Sequence, residues 1–311
     1  MKAIILAAGY GTRLRPLTDK APKPLMPILG KPLLWYSIMK LISSKATGIG
    51  INLHHHAEMI QAFIEAQSLP IYISRSYERE ILGSGGGLRG LRQFIGNDDY
   101  FIVHNGDVLS SIPIAQIFNE AVKRQPLCAL VVHSHHRFNN VMLAPDGAIL
   151  DIRNRFQPHR TGQKFAYTGI AIMHRRIFGY IPDGFSDIIE VLLKILRQGN
   201  EHIIGIAVED HAWSDIGTPA DYLRAHHDIL VKRSPLIEAE YIPNEPTIVG
   251  QNTVVAEDVQ LGGFVSIGEN CNVLSGCRLQ NCVIWDGTTI KADTILKNAV
   301  VGNGWVVPIL Q

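Results

Sequence analysis

Leu6-Ala7-Ala8-Gly9-Tyr10-Gly11-Thr12-Arg13-Leu14-Arg15-Pro16-Leu17-Thr18, followed by Pro22-Lys23-Pro24-Leu25, is the stretch on which the reading of this chain turns. Lys2 to Leu6 is a short apolar run rich in isoleucine, which reads as a buried strand. Gly9 and Gly11 follow at once, and glycine lets backbone N–H groups approach a phosphate that a side chain would hold off. Arg13 offers a planar fork of donors suited to phosphate oxygens. Lys23 stands between two prolines, which hold its backbone extended and aim its ammonium. Two familiar phosphate motifs are excluded. The dinucleotide fingerprint needs glycine three residues after Gly11, where Leu14 stands, and the P-loop needs Gly-Lys-Ser/Thr where Gly11-Thr12-Arg13 stands.

As a whole the string resembles the signature of the sugar-1-phosphate nucleotidyltransferases (NDP-sugar pyrophosphorylases), G-x-G-T-R-L-x-P-L-T followed by P-K-P. Gly9, Gly11, Thr12, Arg13, Leu14, Pro16, Leu17, Thr18, Pro22, Lys23 and Pro24 all match. The resemblance is to members similar to mannose-1-phosphate guanylyltransferase and muramate-1-phosphate uridylyltransferase. It implies an α/β fold: a Rossmann-like, mostly parallel sheet followed by a short left-handed parallel β-helix.

Bulk composition is compatible with that. The chain has 311 residues, 46% of them hydrophobic and 18% charged, ample for one large domain and a smaller one. A net charge of +1 gives no field that favours nucleic acid or an acidic membrane, and neither partner is expected. No apolar run reaches the length of a membrane span, and Met1-Lys2 leads straight into the first strand, so a cytoplasmic protein is expected. Cys128, Cys271, Cys277 and Cys282 form no Cys-x-x-Cys pair and fit no common zinc pattern.

Up to about residue 233 strand and helix patterns alternate, as in a parallel sheet covered on both faces. Strands are expected at Ile49 to Leu53, Ile71 to Ile73 and Tyr100 to Val103. Helices are expected at Pro32 to Ser43, Ala57 to Gln67, Ile114 to Lys123, Asp187 to Arg197 and from Thr218-Pro219 to Val231. The composition shifts near Ser234-Pro235, and a six-residue rhythm begins. Val249, Val255, Leu261, Ile267, Val273 and Leu279 form one series, and Thr253, Val259, Val265, Cys271, Cys277 and Val283 a second. Hexapeptide repeats build parallel β-helices with one inward residue per side, and the segment suffices for about four coils. In this register Cys271 and Cys277 point inward as small hydrophobes, Cys282 lies beside an inward valine with no role assigned, and the register slips around Trp285. The expected division is 1–233 for the catalytic domain and 234–311 for the β-helix, through which relatives usually self-associate; a homo-oligomer is expected.

Three further stretches carry chemistry. Asn105-Gly106-Asp107 ends a strand, where α/β sheets bind ligands; read alone, it is also an ordinary Asn-Gly turn. The resemblance makes Asp107 a Mg2+ ligand and Asn105 a sugar contact. Trp213-Ser214-Asp215-Ile216-Gly217-Thr218 resembles the second metal element of the family, with Asp215 as the other carboxylate; its plain reading is a helix cap. Leu82-Gly83-Ser84-Gly85-Gly86-Gly87-Leu88 makes a poor helix and a good backbone cradle, or else a flexible surface loop. It resembles the base-binding loop of the family, which makes Gly83, Ser84, Gly85 and Gly86 nucleotide contacts beside Ala8, Gly9, Gly11 and Thr12. Thr168 and Gly169 resemble sugar-contacting wall residues. The family's Glu-Lys-Pro sugar motif is absent; Asp151 to Pro158 stands in its place and yields no sugar-binding carboxylate. His54-His55-His56 and His133, His135 and His136 read as strand-end loops, with a metal site as the sharper alternative.

The resemblance implies the reaction NTP plus sugar 1-phosphate to NDP-sugar plus pyrophosphate, with Mg2+ as cofactor. Arg13, Lys23, Asp107 and Asp215 would be its catalytic groups, and guanylyl transfer to mannose 1-phosphate or a related sugar is the first expectation. Alternatives are a uridylyltransferase, a regulatory subunit that has lost the chemistry, an acyltransferase using the β-helix, and a cytidylyltransferase acting on a non-sugar alcohol phosphate. The acyltransferase normally needs a histidine in the coils, and none occurs after His227.

Overall fold

The computed structural model of the chain describes residues 1–135, 137–156 and 161–309. Its residues fall into two compact units that interleave along the chain. One comprises Met1–Tyr10, Ser37–Val108 and Ile112–Trp213; the other comprises Gly11–Tyr36, Leu109–Ser111 and Ser214–Gln311.

The first unit is built on a nine-stranded sheet. Lys2–Leu6 lies between Gly48–Leu53 and Tyr100–Asn105, parallel to both, and Ile73–Tyr77 extends the parallel set beyond Gly48–Leu53. Gln163–His174 joins the other side antiparallel to Tyr100–Asn105 and passes the sheet on to Cys128–His133, which pairs in parallel with Ile203–Ala207. The mixed α/β fold with a parallel core is therefore as the alternating pattern implies. Its centre is apolar on both faces: Ala3, Ile4, Ile5, Phe101, Ile102 and Val103 are all but inaccessible to solvent. Because the first strand sits beside Tyr100–Asn105 on one side and Gly48–Leu53 on the other, the strand order reverses at its edge, the place where such sheets open a crevice at their carboxyl ends.

Helices fall close to the expected segments. Ile188–Gln198 starts at Asp187, whose side chain accepts from the Ile189 N–H at 2.9 Å, and ends at Gly199 with φ 65°. Pro219–Leu230 starts at Thr218, whose hydroxyl accepts from the Asp221 N–H at 3.1 Å. The strand expected at Ile71 to Ile73 instead runs Ile73–Tyr77. It is an edge strand, and its outward Arg75 and Tyr77 reach Glu65 and Gln61 on the neighbouring helix, so polar residues hide it from a hydrophobic reading. The largest difference is the glycine-rich stretch: Gly83–Gly90 is an α-helix, not a loop. Its glycines serve close approach. A Cβ on Gly85 would lie 2.4 Å from Ser186 Oγ, and one on Gly86 would lie 2.7 Å from the Gly184 carbonyl oxygen.

In the second unit the C-terminal part is a stack of parallel strands. Thr247–Val249, Gln260–Ile267, Arg278–Ile284 and Ile295–Gly302 pair in order, and Val254–Val255, Asn272–Val273 and Thr289–Ile290 form a second ladder. Trp305–Pro308 turns back antiparallel on the last long strand. Val265, Ile267, Cys271, Val273, Cys277, Leu279, Cys282, Ile284 and Ile290 form its core. Two features correct the six-residue register. Val249 and Leu261 are exposed, because each stands where the stack has a strand on one side only. And the slip comes earlier than Trp285. Gln260 pairs with Arg278, whereas Val265 pairs with Cys282, one residue short of the six-residue series. Asn281, at φ 53°, makes the adjustment. Cys282 thereby takes the inward place that the repeat assigns to Val283, which is buried outside this core.

Candidate active site

In the first unit the crevice lies at the carboxyl ends of Lys2–Leu6 and Tyr100–Asn105. The Gly106 N–H donates to the Leu6 carbonyl at 3.0 Å, which fixes the Asn105–Asp107 turn against the start of the glycine loop. A cavity of about 220 Å3 opens there, lined by Leu6, Ala8, Gly9, Asn52, Glu78, Ile81, Gly83, Ser84, Asn105 and Asp107. Gly9 has nothing within 4 Å of the position its Cβ would occupy, so the space beside its backbone is open to a ligand.

Two polar residues of this cavity were not singled out in the sequence. Asn52 and Glu78 are almost wholly buried, at 3% and 7% exposure. Asn52 Oδ1 accepts the Ala7 N–H at 2.8 Å, and Asn52 Nδ2 donates to Glu78 Oε1 at 2.7 Å. Glu78 Oε2 accepts the Leu82 N–H at 2.8 Å. One amide and one carboxylate therefore tie the glycine loop to the entry of the glycine helix. Nothing in their sequence neighbourhood distinguishes them from ordinary polar residues at strand ends. Only the pairing of Gly48–Leu53 with Ile73–Tyr77 brings them together.

The glycine helix offers less to a ligand than its composition implies. Gly83 and Ser84 line the cavity, but the N–H groups of Gly85 and Gly86 both point at the Ser186 carbonyl, at 2.8 and 3.4 Å. The Ser84 hydroxyl accepts the Ile188 N–H at 2.9 Å and so helps to cap the following helix. Thr168 is fully buried and its hydroxyl donates to the Val131 carbonyl at 2.8 Å, so its side chain forms no exposed wall. Its own carbonyl accepts the Trp213 indole N–H at 2.8 Å. Gly169, at φ 81°, packs against Asn105. His135 and Phe138 stack 4.9 Å apart and meet Trp213 edge-on. His54 Nδ1 donates to the Glu78 carbonyl at 2.9 Å, and its Nε2 faces the Tyr10 hydroxyl at 3.2 Å. His136 and the segment 157–160 lie outside the described residues.

The second unit gathers the two cations of the opening motif. Gly11 adopts φ 64°, and a Cβ there would meet Thr18 Cγ2 at 2.8 Å and Lys23 Cβ at 3.3 Å, so only glycine lets the chain fold this closely over Lys23. The Thr18 hydroxyl donates to the Gly11 carbonyl at 3.0 Å. Thr12 and Arg13 form a single helical turn whose side chains face outward. Arg13 Nη2 stands 3.9 Å from Asp215 Oδ2, and Lys23 Nζ stands 3.8 Å from Asp215 Oδ1. Asp215 thus has one cation on each oxygen. The lysine side chain is nearly buried, at 11% exposure, while the arginine is open to solvent at 64%. A Cβ on Gly217 would fall 3.0 Å from Arg13 Nη1, so that glycine, too, makes room for the pair.

Of the two carboxylates expected to serve a divalent ion, Asp107 lies in the first unit and Asp215 in the second. Among the described residues no group of three or more His, Cys, Asp or Glu is placed to hold a metal. Each carboxylate offers the hard oxygen donor that Mg2+ takes, an ion that needs only one or two carboxylates and completes its shell with water and substrate phosphates. No helix among the described residues is long and apolar enough to cross a membrane.

Comparison with known proteins adds the following. A family model described as nucleotidyl transferase matches residues 2–232, and one described as the GMPPB C-terminal domain matches residues 243–308. The chain is similar to a mannose-1-phosphate guanylyltransferase of Mycobacterium tuberculosis, 28% identical over 303 residues, 95% of this chain and 82% of that protein. It is also similar to a UTP–glucose-1-phosphate uridylyltransferase of Synechocystis, 26% identical over 330 residues, 98% and 85% of the respective chains. Among solved structures, a putative glucose-1-phosphate thymidylyltransferase from Bacillus anthracis shares the fold, with a TM-score of 0.63 at 24% identity over 72% of this chain and 93% of that one.

Proposed function

This chain belongs to the nucleotidyl transferase family, and from that membership we propose that it is a sugar-1-phosphate nucleotidyltransferase which couples a nucleoside triphosphate to a sugar 1-phosphate and releases pyrophosphate. A sugar-phosphate oxygen attacks the α-phosphorus in line, the bond to the β,γ-diphosphate breaks, and pyrophosphate leaves. The nucleophile is already an anion, so no general base is needed, and catalysis consists of positioning and charge neutralisation. The observation that carries the reading is the pair of cations, Arg13 and Lys23, held on the single carboxylate of Asp215.

Arg13, exposed and planar, binds the β- and γ-phosphates and steadies the leaving diphosphate. Lys23, nearly buried, bridges the α-phosphate and the sugar phosphate. Asp107 and Asp215 would hold Mg2+, which when bound offsets the negative charge of the phosphates. Ala8, Gly9, Gly11 and Thr12 line the phosphates with backbone, and Gly83, Ser84, Gly85 and Gly86 shape the base end. Asn105 and Gly169 form the sugar end, with the buried Thr168 supporting Gly169 from behind rather than meeting the sugar.

Guanine is the base we favour. Glu78 places a buried carboxylate on the cavity wall. Guanine presents adjacent ring and amino N–H donors to such an acceptor, whereas the single N–H of uracil is flanked by two carbonyl oxygens that a carboxylate repels. Mannose 1-phosphate is the sugar phosphate named in the guanylyltransferase relative and is the first acceptor to test. The catalytic machinery is carried by residues 1–233. We read the parallel strand stack of 234–311 as a left-handed β-helix that mediates self-association, for which outward Val254 and Ile295, 65% and 71% exposed, supply apolar surface. We place the enzyme in the cytoplasm.

The test is a matrix of GTP, UTP, CTP and dTTP against mannose, glucose and muramate 1-phosphates, read by pyrophosphate release with and without Mg2+. Fastest turnover is expected with GTP and mannose 1-phosphate. Turnover confined to UTP would replace the guanylyl reading, and absence of pyrophosphate release from every pair would leave a regulatory subunit of the same fold. Light scattering reports the oligomeric state.

A further inference from the structure

The segment that carries Lys23 is held from behind by buried polar side chains of the second unit. Lys23–Leu25 is one tight helical turn, not the extended backbone expected of a residue between prolines; it is closed by the Met26 N–H on the Lys23 carbonyl at 3.1 Å, and Pro22 before it is extended. It runs directly into a two-stranded ribbon, Pro27–Ile28 with Lys31–Pro32. Each of the next three residues is clamped. The Pro27 carbonyl accepts the Tyr222 hydroxyl, the Ile28 carbonyl accepts the Tyr36 hydroxyl at 2.9 Å, and the Leu29 N–H points at His226 Nε2 at 3.5 Å. Tyr222 and His226 are fully buried on the helix Pro219–Leu230, one turn apart. Burial raises the Tyr222 phenol far above the ordinary tyrosine range, so it stays protonated and donates.

Tyr222 is itself held from the C-terminal strand stack. The indole N–H of Trp285, just past the strand Arg278–Ile284, donates to the Tyr222 oxygen at 3.1 Å. Trp285 in turn meets Trp305 edge-on, with ring centroids 5.1 Å apart. A continuous chain of contacts, partly buried at Trp285 and Trp305 and fully buried at Tyr222, thus runs from the terminal hairpin to the backbone four residues beyond Lys23. The phenol is saturated: it accepts from Trp285 and donates to Pro27. Satisfied polar chains of this kind in a protein interior fix one geometry, because each member left alone pays a full desolvation penalty.

We propose that Tyr222, oriented by Trp285, is a positioning residue for Lys23, so that the C-terminal strand stack sets the placement of the catalytic ammonium. The proposal rests on the role given to Lys23 in the preceding subsection. Tyr222 is wholly buried, so its part is to position and not to react. Its removal lets the Pro27 carbonyl seek another donor, the Lys23 turn shifts, and the ammonium loses its registry with the reacting phosphates. Small misplacements of a positioned cation lower turnover more than binding.

The experiment is a double-mutant cycle on the full chain, with kcat and KM from pyrophosphate release and folding followed by thermal unfolding. Tyr222→Phe is expected to lower kcat about tenfold with both KM values within about twofold. In a Lys23→Ala background the same substitution is expected to lower kcat by less than about twofold, because the group it positions is gone. Trp285→Phe, which removes only the donor to Tyr222, is expected to show a smaller kcat loss that also vanishes in Lys23→Ala, and it carries the test should Tyr222→Phe not fold. An equal fractional loss in both backgrounds would mean that Tyr222 acts on general stability and would overturn the inference, as would a rise in KM at constant kcat. Parental turnover in Lys23→Ala alone is a different outcome: it removes Lys23 from the mechanism and with it the functional reading.

Discussion

Gly87→Ala is a substitution for which two physical arguments give opposite signs. Gly87 lies in the interior of the helix Gly83–Gly90, with an ordinary helical backbone. Helix propensity alone predicts that alanine stabilises by about 1 kcal/mol. The packing predicts otherwise. A Cβ at Gly87 would stand 2.4 Å from Asn52 Nδ2 and 3.0 Å from Glu78 Oε1. Neither neighbour can yield cheaply, because both are buried and bonded to one another at 2.7 Å. Displacing Asn52 also strips the Ala7 N–H of its acceptor. An orphaned buried donor costs roughly 1–3 kcal/mol, and a carboxylate that loses a partner costs about 2 kcal/mol. Set against the propensity gain, the net expectation is a loss of about 3 kcal/mol. Urea unfolding of the variant and parent measures it. Gly90→Ala is the control, since the nearest atom to its Cβ, at 2.7 Å, is the hydroxyl of Ser76, which can rotate away. Because Asn52 and Glu78 also wall the cavity, the KM for the nucleoside triphosphate should rise in Gly87→Ala and stay level in Gly90→Ala. A Gly87→Ala protein as stable as its parent, with unchanged KM, would refute the packing argument.

Other expectations can be checked directly. Lys23→Ala and Asp107→Ala should each lower turnover at least about a hundredfold in a pyrophosphate assay, the scale of losing one electrostatic contact at the reacting centre; unchanged turnover in either removes that residue from the mechanism. His226 is fully buried, and burial pushes its pKa down to about 4 from the ordinary 6.5. Between those values the unfolded chain binds a proton that the folded chain refuses. The contribution of neutral His226 is therefore complete above about pH 6.5, declines as pH falls, and is lost below about pH 4, on the order of 3 kcal/mol in all. Unfolding free energies across that range should be flatter for His226→Gln, and an identical slope would contradict the assignment. Asn281→Ala should cost about 2 kcal/mol, since Asn281 sits at φ 53° and its amide donates to Asn298 Oδ1 at 2.9 Å, whereas Asn281→Gly should recover the backbone part; a variant with alanine as stable as that with glycine would argue against a left-handed constraint.

Signals confined to a few neighbouring residues were legible in the sequence. The apolar first strand and the caps at Asp187 and Thr218 each depend on local spacing, and each corresponds to an observed element. So does the association of Gly11 with Lys23, because both lie within one short segment. What failed depended on partners distant in sequence. Glycine runs look alike whether they serve freedom or close approach; only the Ser186 and Gly184 backbone, a hundred residues away, reveals the second. The hexapeptide register could not anticipate that one residue would be absent from the spacing at Asn281, so Cys282 and Val283 exchanged places. Asn52 and Glu78 carry no signal at all until two strands set them side by side.

The interleaving of the two compact units bears on how such a protein can be cut. The chain enters the second unit at Gly11, only nine residues after its first strand begins, and leaves it at Tyr36 before completing the sheet. The lysine turn is therefore tethered to residues far downstream in the chain, Tyr222 and Trp285. A nascent chain can assemble its central sheet from residues up to Ala207, yet the Pro27 carbonyl must wait for its partner until the later helix Pro219–Leu230 has emerged. Proteolytic removal of the strand stack, even where the sheet survives, would leave Tyr222 without the indole donor that orients it against that early segment.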